Sequence, residues 1–141
     1  MKIVQIGTGG WGKNHTRILS ELGVLVAVCD ADSKKSKEYG EKYSVNHYES
    51  LDELLDAEEF DGAFVVTPTS THTAIAKKLL EAKKHVFVEK PKTYQSKHCQ
   101  TLAKLAENNK VILTCGYIER FNPAVEVVKK MVKDKKYGDL V

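Results

Sequence analysis

Three glycines near the start of the chain have the spacing of a phosphate-binding turn. Gly7, Gly9 and Gly12 follow a run of near-apolar residues and fill a G-x-G-x-x-G frame. Such a turn lets a strand pass sharply into a helix, and it brings backbone N–H groups against a pyrophosphate. Because glycine-rich turns are common, the frame alone does not identify a nucleotide site.

An acidic residue lies where a dinucleotide site needs one. Asp30 follows the second apolar run, 18 residues beyond Gly12, where a carboxylate can accept hydrogen bonds from the adenosine ribose. A carboxylate there would repel a 2′-phosphate, which favours NAD, although the nearby Lys34 and Lys35 leave NADP possible. The alternative is a structural turn in which Asp30 only begins a loop.

A hydroxyl-rich segment follows the fourth apolar run. Residues 67–72 read Thr-Pro-Thr-Ser-Thr-His, and the carboxyl end of a parallel strand lines the cofactor crevice in doubly wound sheets. Helix capping is the alternative role for these hydroxyls, and Thr69 or Ser70 is the expected cap. His72 by itself is more typical of a structural residue.

The triplet Glu89-Lys90-Pro91 follows the fifth apolar run. A lysine at this edge could act as a general acid or base, or anchor a substrate hydroxyl, with its charge tuned by burial and by Glu89. A surface lysine in a salt bridge is the alternative. Proline fixes the backbone there, and the Lys90–Pro91 bond is a candidate for the cis form.

The order of apolar runs and helical patterns predicts the elements that position these residues. Strands and helices alternate throughout, which predicts an α/β fold: a doubly wound parallel sheet of about six strands with helices on both faces. The predicted strands are residues 2–6, 25–29, 45–48, 62–66, 85–88 and 111–115. The predicted helices are residues 11–22, 33–43, 50–57, a segment starting near residue 69, 95–107 and 122–132.

Local signals predict how several helices begin and which side faces the core. We expect Ser33 to cap the second helix, a capping box at residues 50–53 to open the third, and Asn122 to cap the last. Five residues at helical spacing predict the inward face of the first helix: Trp11, His15, Ile18, Leu19 and Leu22.

Composition excludes several classes of protein. The chain has 141 residues, the size of one domain, with 42% apolar and 29% charged residues. Its net charge of +3 comes almost entirely from lysine, without the clustered arginine and aromatic residues of a nucleic-acid surface. No apolar run approaches the roughly 20 residues of a membrane span.

The cysteines indicate a reducing compartment. Cys29, Cys99 and Cys115 are odd in number and contain no C-x-x-C pair, which argues against a disulfide framework or a metal site. Cys29 and Cys115 are expected to be buried as small apolar residues. We therefore expect a cytoplasmic protein that binds neither nucleic acid nor membrane.

Several segments together resemble one family of oxidoreductases. They occur in the family's order and cover nearly the whole chain: residues 7–12 with His15, Asp30, residues 67–72, residues 84–91 and residues 116–123. The chain resembles the N-terminal Rossmann domain of the glucose–fructose oxidoreductase/inositol dehydrogenase/rhizopine-catabolism (Gfo/Idh/MocA) family. Glu89-Lys90-Pro91 after a strand, combined with the glycine turn, makes this resemblance specific.

The resemblance implies roles for individual residues. Those expected at the cofactor pyrophosphate are Gly7, Thr8, Gly9, Gly10, Trp11 and Gly12. Asp30 is expected at the adenosine ribose, and the residues expected along the nicotinamide half are Thr67, Pro68, Thr69 and His72. Glu89 is expected near the nicotinamide ribose, and Lys90 at the cofactor and at the reacting hydroxyl as the catalytic residue.

The resemblance also implies an activity and a second domain. Family members use NAD or NADP to oxidise or reduce a hydroxyl carbon of a sugar, cyclitol or related compound. Residues 119–124 are similar to the branch that acts on UDP-linked N-acetylhexosamines, the nucleotide-sugar 3-dehydrogenases. The family's second domain supplies the substrate pocket and the sheet that forms a homo-oligomer, and we expect residues 137–141 to begin it.

Three hypotheses remain. In the first, residues 1–141 are the cofactor-binding half of a dehydrogenase and bind cofactor without turnover. In the second, the chain is a stand-alone dinucleotide-binding or sensing module without catalysis. The third and weaker hypothesis is a methyltransferase, which also joins a glycine turn to an acidic residue at a strand end; the Glu89-Lys90-Pro91 triplet argues against it.

Overall fold

A six-stranded parallel sheet forms the centre of the computed structural model, which describes residues 1–135 and 137–139. The strands are β1 Ile3–Ile6, β2 Leu25–Cys29, β3 Asn46–Tyr48, β4 Gly62–Val65, β5 His85–Val88 and β6 Leu113–Cys115. They lie in the order β3-β2-β1-β4-β5-β6, and every neighbouring pair is parallel. The chain first moves outward from β1 to β3 and then returns to β4, so the sheet order reverses between β1 and β4. That point is where a doubly wound sheet opens a crevice at the carboxyl ends of its strands.

Helices alternate with the strands, and the first five of them pack on the two faces of the sheet, whereas the last one contains no buried residue. They are α1 Gly12–Glu21, α2 Ser33–Tyr43, α3 Leu51–Ala57, α4 Thr69–Glu81, α5 Ser96–Asn109 and α6 Pro123–Lys133, with a short 3₁₀ helix at Ile118–Phe121 before α6. One face of the sheet packs against Leu19 of α1 and Tyr39 of α2. The other face packs against Leu54, Leu79 and Leu102 of α3, α4 and α5. The predicted fold is confirmed.

The predicted inward face of α1 is only partly correct: Leu19 is buried and His15 is half-buried. Trp11, Ile18 and Leu22 are all exposed, whereas Gly12 and Thr16 are buried. The small residues allow the helix to approach the strand-end turn closely, and the Thr16 hydroxyl donates a 2.9 Å hydrogen bond to the carbonyl oxygen of Gly12. Close approach of the backbone, rather than burial of large side chains, therefore fixes the start of α1.

Two predicted helix caps are also wrong. Asp32, not Ser33, caps α2, and its carboxylate accepts a 3.1 Å hydrogen bond from the N–H two residues later. The helix α4 begins directly after Pro68, so Thr69 and Ser70 are its first helical residues and not its cap. A proline can hold the extended backbone before a helix without any side-chain hydrogen bond, because its ring fixes φ.

Two other caps agree with the prediction. The hydroxyl of Ser50 accepts a 3.2 Å hydrogen bond from the N–H of Glu53 at the start of α3. The side chain of Asn122 accepts a 2.9 Å hydrogen bond from the N–H of Ala124, and Pro123 is the first residue of α6. In both helices, short-range sequence signals are therefore sufficient to predict where the helix begins.

The cysteine predictions are partly confirmed. Cys29, Cys99 and Cys115 are all free, and Cys29 is buried. Cys115 is only half-buried, because its strand lies at the edge of the sheet. Within the described residues no helix has the length and apolar character needed to cross a membrane. The predicted start of a second domain, residues 137–141, includes residues 140 and 141, which lie outside the described residues.

Candidate functional site

A cavity of about 870 Å³ opens at the carboxyl ends of the central strands. It extends from the turn after β1 to the loop after β5, with the ends of β2 and β4 between them. Its walls include these predicted site residues: Gly7, Gly9, Gly10, Trp11, Asp30, Thr67, Pro68, Glu89 and Lys90. Residues far apart in the sequence therefore meet around one cavity.

The first and third glycines of the turn are required by close backbone packing. Gly7 has a φ of +85°, and a Cβ there would overlap the carbonyl oxygen of Val66. A Cβ at Gly12 would overlap the carbonyl oxygen of Gly7. The side-chain amide of Gln5, fully buried, donates a 2.8 Å hydrogen bond to that same oxygen. Any side chain at either glycine would therefore displace the turn.

The middle of the turn faces open space. A Cβ at Gly9 or Gly10 would meet nothing within 4 Å, and both residues line the cavity. At the start of α1 the N–H groups of Lys13 and Asn14 donate to the carbonyl oxygens of Gly9 and Trp11, which leaves the N–H groups of residues 9–11 to face the cavity, and the first turn of α1 contains no acidic side chain. Such a helix end carries partial positive charge. The turn thus presents a site for an anion such as a pyrophosphate.

Asp30 holds the turn from the neighbouring strand. Its Oδ2 accepts hydrogen bonds from the N–H and the hydroxyl of Thr8, at 2.8 and 2.9 Å. Its Oδ1 accepts a 3.0 Å hydrogen bond from the N–H of Asp32. Partial burial opposes the charge, but these hydrogen bonds and the charge of Lys35 outweigh it and lower the pKa of Asp30. The carboxylate is therefore charged at neutral pH where it faces the cavity.

Replacing Asp30 by asparagine is expected to destabilise the protein in a pH-dependent way. The lowered pKa means that the ionised carboxylate stabilises the fold at neutral pH. This stabilisation decreases as the pH falls below the ordinary value of 3.8 and through the lower pKa of the folded state. Urea unfolding should show that Asp30→Asn lowers the free energy of unfolding at pH 7, and that the difference narrows below about pH 4.

A matched control is available on an exposed helix. Asp56→Asn removes the same charge from an exposed position of α3, and we expect a smaller loss at pH 7. A difference between Asp30→Asn and the wild type that stays constant from pH 7 to pH 3 would contradict the role assigned to the Asp30 carboxylate.

A chain of hydroxyls follows β4. The Thr71 hydroxyl donates to the carbonyl oxygen of Pro68 at 2.8 Å, and it lies 2.7 Å from the Thr67 hydroxyl. Since the single proton of Thr71 is used on Pro68, Thr67 must donate to Thr71. The oxygen of Thr67 is thereby oriented as an acceptor where it lines the cavity.

The Glu89 carboxylate is enclosed beneath the loop after β5. Glu89 is only 6% exposed, and it lies 3.0 Å from Nε2 of His15 and accepts a 2.9 Å hydrogen bond from the N–H of Lys90. A Cβ at Gly116 would lie 2.8 Å from a carboxylate oxygen, so only glycine leaves room for it. Glu89 therefore connects α1, the Lys90 backbone and the loop after β6.

Two stacked phenylalanines support His15. The rings of Phe64 and Phe87 are stacked at 4.4 Å, and the His15 ring lies 5.5 and 5.4 Å from them. An ionised carboxylate only accepts hydrogen bonds, so Nε2 of His15 is the donor to Glu89. His15 is thus a support for Glu89 rather than an isolated polar group at a helix edge.

Lys90 lies between two cavities. Its side chain is exposed, and it lines both the large cavity and a smaller one of about 360 Å³. The smaller cavity is bounded on its other side by residues 116–120. The peptide bond between Lys90 and Pro91 is cis, as predicted. Lys90 is therefore placed to contact ligands on both sides.

Four predicted site residues lie behind the cavity wall. Thr8 is buried against Asp30, and Gly12 packs on Gly7. Thr69 is the first residue of α4. His72 is 1% exposed, and both of its ring nitrogens lie against backbone oxygens.

Sequence reasoning missed several lining residues. Glu49 directly follows β3, and Ala31 and Asp32 follow β2, so the rule about strand ends could have identified all three. Leu51 and Ile75 also line the cavity, but no sequence signal distinguishes them from other apolar helix residues.

Cys29 also lines the cavity but is not a nucleophile. Burial, with the nearby charges of Asp30 and Glu53, raises the pKa of its thiol to about 12. The thiol is therefore neutral at physiological pH, and the thiolate is the reactive form. Among the described residues no cluster of three or more His, Cys, Asp or Glu side chains could hold a metal ion.

The sheet order, the glycine turn and the charged residue after β2 define a dinucleotide-binding Rossmann domain. Residues 1–117 match the model of the oxidoreductase family with an NAD-binding Rossmann fold (Gfo/Idh/MocA). The chain belongs to this family, which confirms the resemblance seen in the sequence.

Relatives and solved structures agree with the family. The chain is 30% identical over 130 residues to the UDP-N-acetylglucosamine 3-dehydrogenase of Acidithiobacillus ferrooxidans, covering 92% of this chain and 41% of the relative. It is 29% identical to the myo-inositol 2-dehydrogenase of Thermotoga maritima, covering 98% of this chain and 42% of the relative. The structure of the WlbA dehydrogenase of Chromobacterium violaceum, in complex with NADH and UDP-GlcNAcA, matches with a TM-score of 0.90 at 25% identity. That match covers 98% of this chain and 41% of WlbA. The chain thus spans about two fifths of the length of these proteins.

Proposed function

We propose that this chain is the cofactor-binding half of a dehydrogenase. The complete protein transfers hydride between a nicotinamide cofactor and a hydroxyl carbon of a sugar, cyclitol or nucleotide sugar. One observation carries the proposal: a single cavity joins the glycine turn after β1 to Lys90 after β5. One end of this cavity offers backbone N–H groups and the other a cationic side chain, which suits a cofactor with a pyrophosphate and a reactive ring.

The lining residues fit a dinucleotide along the cavity. The N–H groups of the turn at Gly9, Gly10 and Trp11 bind the pyrophosphate, with Thr8 and Gly12 fixing the turn behind them. Asp30 accepts hydrogen bonds from the adenosine ribose, and its negative charge favours NAD over NADP. Cavity-lining Lys35 leaves NADP as a weaker possibility.

The other half of the cofactor lies between the ends of β4 and β5. Thr67 and Pro68 contact it directly, whereas Thr69 and His72 shape this wall from behind. Glu89 lies near the nicotinamide ribose. When bound, the nicotinamide ring supplies the hydride-accepting or hydride-donating carbon.

Lys90 is the catalytic residue in this proposal. Lys90 lines both cavities, so its ammonium group can hold a substrate hydroxyl and stabilise the negative charge that develops on the hydroxyl oxygen. It can also relay the hydroxyl proton. Its backbone is held by Glu89, so the side chain starts from a fixed position.

The substrate side is the smaller cavity bounded by residues 116–120. A nucleotide sugar such as a UDP-linked N-acetylhexosamine is the favoured substrate. Residues 119–124 resemble that branch, one relative is a UDP-N-acetylglucosamine 3-dehydrogenase, and the WlbA structure is a complex with UDP-GlcNAcA. A cyclitol is the alternative, supported by similarity to inositol dehydrogenases. The remaining part of the protein would complete the substrate pocket and form a homo-oligomer in the cytoplasm.

NAD is expected to stabilise the isolated chain against heat. A ligand at about 100 times its Kd that binds only the folded state stabilises it by about 2.7 kcal/mol, which should raise the Tm by several degrees. The measurement is a thermal melt with NAD, NADP or S-adenosylmethionine. Stabilisation by S-adenosylmethionine and not by NAD would favour the methyltransferase hypothesis and contradict ours.

Turnover distinguishes the half-enzyme from the stand-alone module. We expect the isolated chain to bind NAD and to show no measurable NADH formation with sugars, inositols or UDP-sugars. A version extended to the length of its relatives should show turnover. If the extended version binds NAD but remains inactive with every substrate, the sensing module becomes the better explanation.

A further inference from the structure

His72 makes two hydrogen bonds that a neutral imidazole cannot make together. Its Nε2 lies 2.8 Å from the carbonyl oxygen of Thr67, and its Nδ1 lies 3.0 Å from the carbonyl oxygen of Pro91. Both partners are backbone oxygens, which only accept. A neutral imidazole carries one N–H, whereas the protonated ring carries two. The geometry therefore matches the doubly protonated form.

Burial and hydrogen bonding act in opposite directions on this form. His72 is only 1% exposed, so a ring nitrogen without its proton would face a buried carbonyl oxygen, with no hydrogen between the two acceptors. Burial of the charge and the positive end of α4 both oppose protonation. The two charge-assisted hydrogen bonds oppose this cost, because each is stronger than a neutral one.

The two carbonyl groups belong to neighbouring strand ends of the cavity. Thr67 lies after β4 and lines the cavity, while Pro91 follows Lys90 after β5. The register of β4 and β5 pairs Val65 with Val88, so both segments leave the sheet at the same level. The N–H of Glu89 still donates a 2.9 Å hydrogen bond to the carbonyl oxygen of Val65, and beyond that bond the imidazole connects the two segments.

We propose that His72 is a positioning residue whose doubly protonated ring ties the backbone of residue 67 to that of residue 91 and so fixes the Lys90 segment. It acts through these two carbonyl groups and touches neither cofactor nor substrate. This inference goes beyond the proposed function, and its tests require no cofactor.

The first test counts the protons on the His72 ring directly. Nitrogen-15 NMR of the full chain near neutral pH should show two protonated ring nitrogens for His72, identified by the signals that disappear in His72→Gln. His98→Gln, which changes a partly exposed histidine on α5, provides the assignment control. One protonated and one unprotonated nitrogen at His72 would overturn the proposal.

The second test measures how firmly the backbone around Lys90 is held. His72→Phe retains a ring of similar size but has no N–H, so both carbonyl groups lose their donor. The amide of Lys90, which donates to the Glu89 carboxylate, should exchange its hydrogen faster by about tenfold more than the amides of β2 do, as expected when a segment is loosened without global unfolding. Equal acceleration in β2 and at Lys90 would mean general destabilisation and would overturn the positioning role.

The two tests are independent of each other and of NAD binding. If His72→Phe fails to fold, the proton count in the wild-type chain still decides the proposal. A wild-type chain that shows two protonated nitrogens but no thermal shift with NAD would contradict the proposed function and leave the positioning role of His72 intact.

Discussion

Gly12→Ala is expected to lower the free energy of unfolding by about 3 kcal/mol or more, at the upper end of the cost of overpacking, and to weaken NAD binding. The added Cβ would overlap the carbonyl oxygen of Gly7 and lie 2.9 Å from its carbonyl carbon. Backbone atoms cannot rotate away as the end of a flexible side chain can. The turn itself would have to move, and with it the N–H groups proposed to bind the pyrophosphate.

Movement of the turn is opposed from several sides. Gly7 donates its N–H to the carbonyl oxygen of Cys29 at 2.7 Å and accepts from Gln5 on its own carbonyl. Thr8 is tied to Asp30 by two hydrogen bonds. A shift large enough to admit the methyl group would break some of these bonds in a buried region, where lost hydrogen bonds are most costly.

Gly10→Ala provides the matched control within the same turn. A Cβ at Gly10 meets nothing within 4 Å, so this substitution should leave the free energy of unfolding within about 0.5 kcal/mol of the wild type. Urea unfolding of both variants measures the difference. Equal stability of Gly12→Ala and Gly10→Ala would contradict the close packing of Gly12 on Gly7.

Local sequence signals were sufficient to predict the strands and helices, but not the contacts between them. The alternation of apolar runs and helical patterns identified six strands, because a strand buried on both faces must be continuously apolar. The capping signals at Ser50 and Asn122 were correct because the donor and the acceptor lie within three residues of each other. The prediction of Ser33 as a cap was wrong because the preceding residue, Asp32, also has a side chain that can cap a helix.

The sequence also predicted which residues line the cavity better than it predicted the hydrogen bonds between them. The glycine turn, Asp30 and Lys90 were predicted to lie together, and they line one cavity, since strand ends in a parallel sheet must meet at one edge. The bond between His15 and Glu89 joins residues 74 positions apart, and no local periodicity encodes it. The same is true of His72, whose two partners lie on different loops and whose role depends on the register of β4 and β5.

These long-range bonds place Lys90 more firmly than the sequence suggested. Lys90 has an exposed side chain, yet its backbone is held by the buried Glu89 carboxylate on one side. On the other side the next residue, Pro91, is held by His72. A flexible side chain on a fixed backbone suits a group that must reach a substrate and return, because only the side chain has to be ordered during the reaction.

Lys90→Ala is expected to lower kcat by about 10²- to 10⁴-fold in a version of the protein extended to the length of its relatives, the range for losing a positioned acid–base group. NAD affinity should change by less than about tenfold. The reason is that the turn, Asp30 and Thr67 are the residues proposed to make most of the cofactor contacts, whereas Lys90 lines both the large cavity and the smaller one. Steady-state kinetics give kcat, and fluorescence titration gives the Kd of NAD.

Lys92→Ala is the matched control, because it removes the same charge two residues away. It should leave kcat nearly unchanged. If Lys90→Ala instead abolished NAD binding while kcat at saturating NAD stayed high, Lys90 would be a cofactor residue and not the catalytic one. Kinetics can distinguish the two roles. An interaction made mainly in the transition state changes kcat, whereas a contact that binds the ground state and the transition state equally changes only the concentration at which the enzyme saturates.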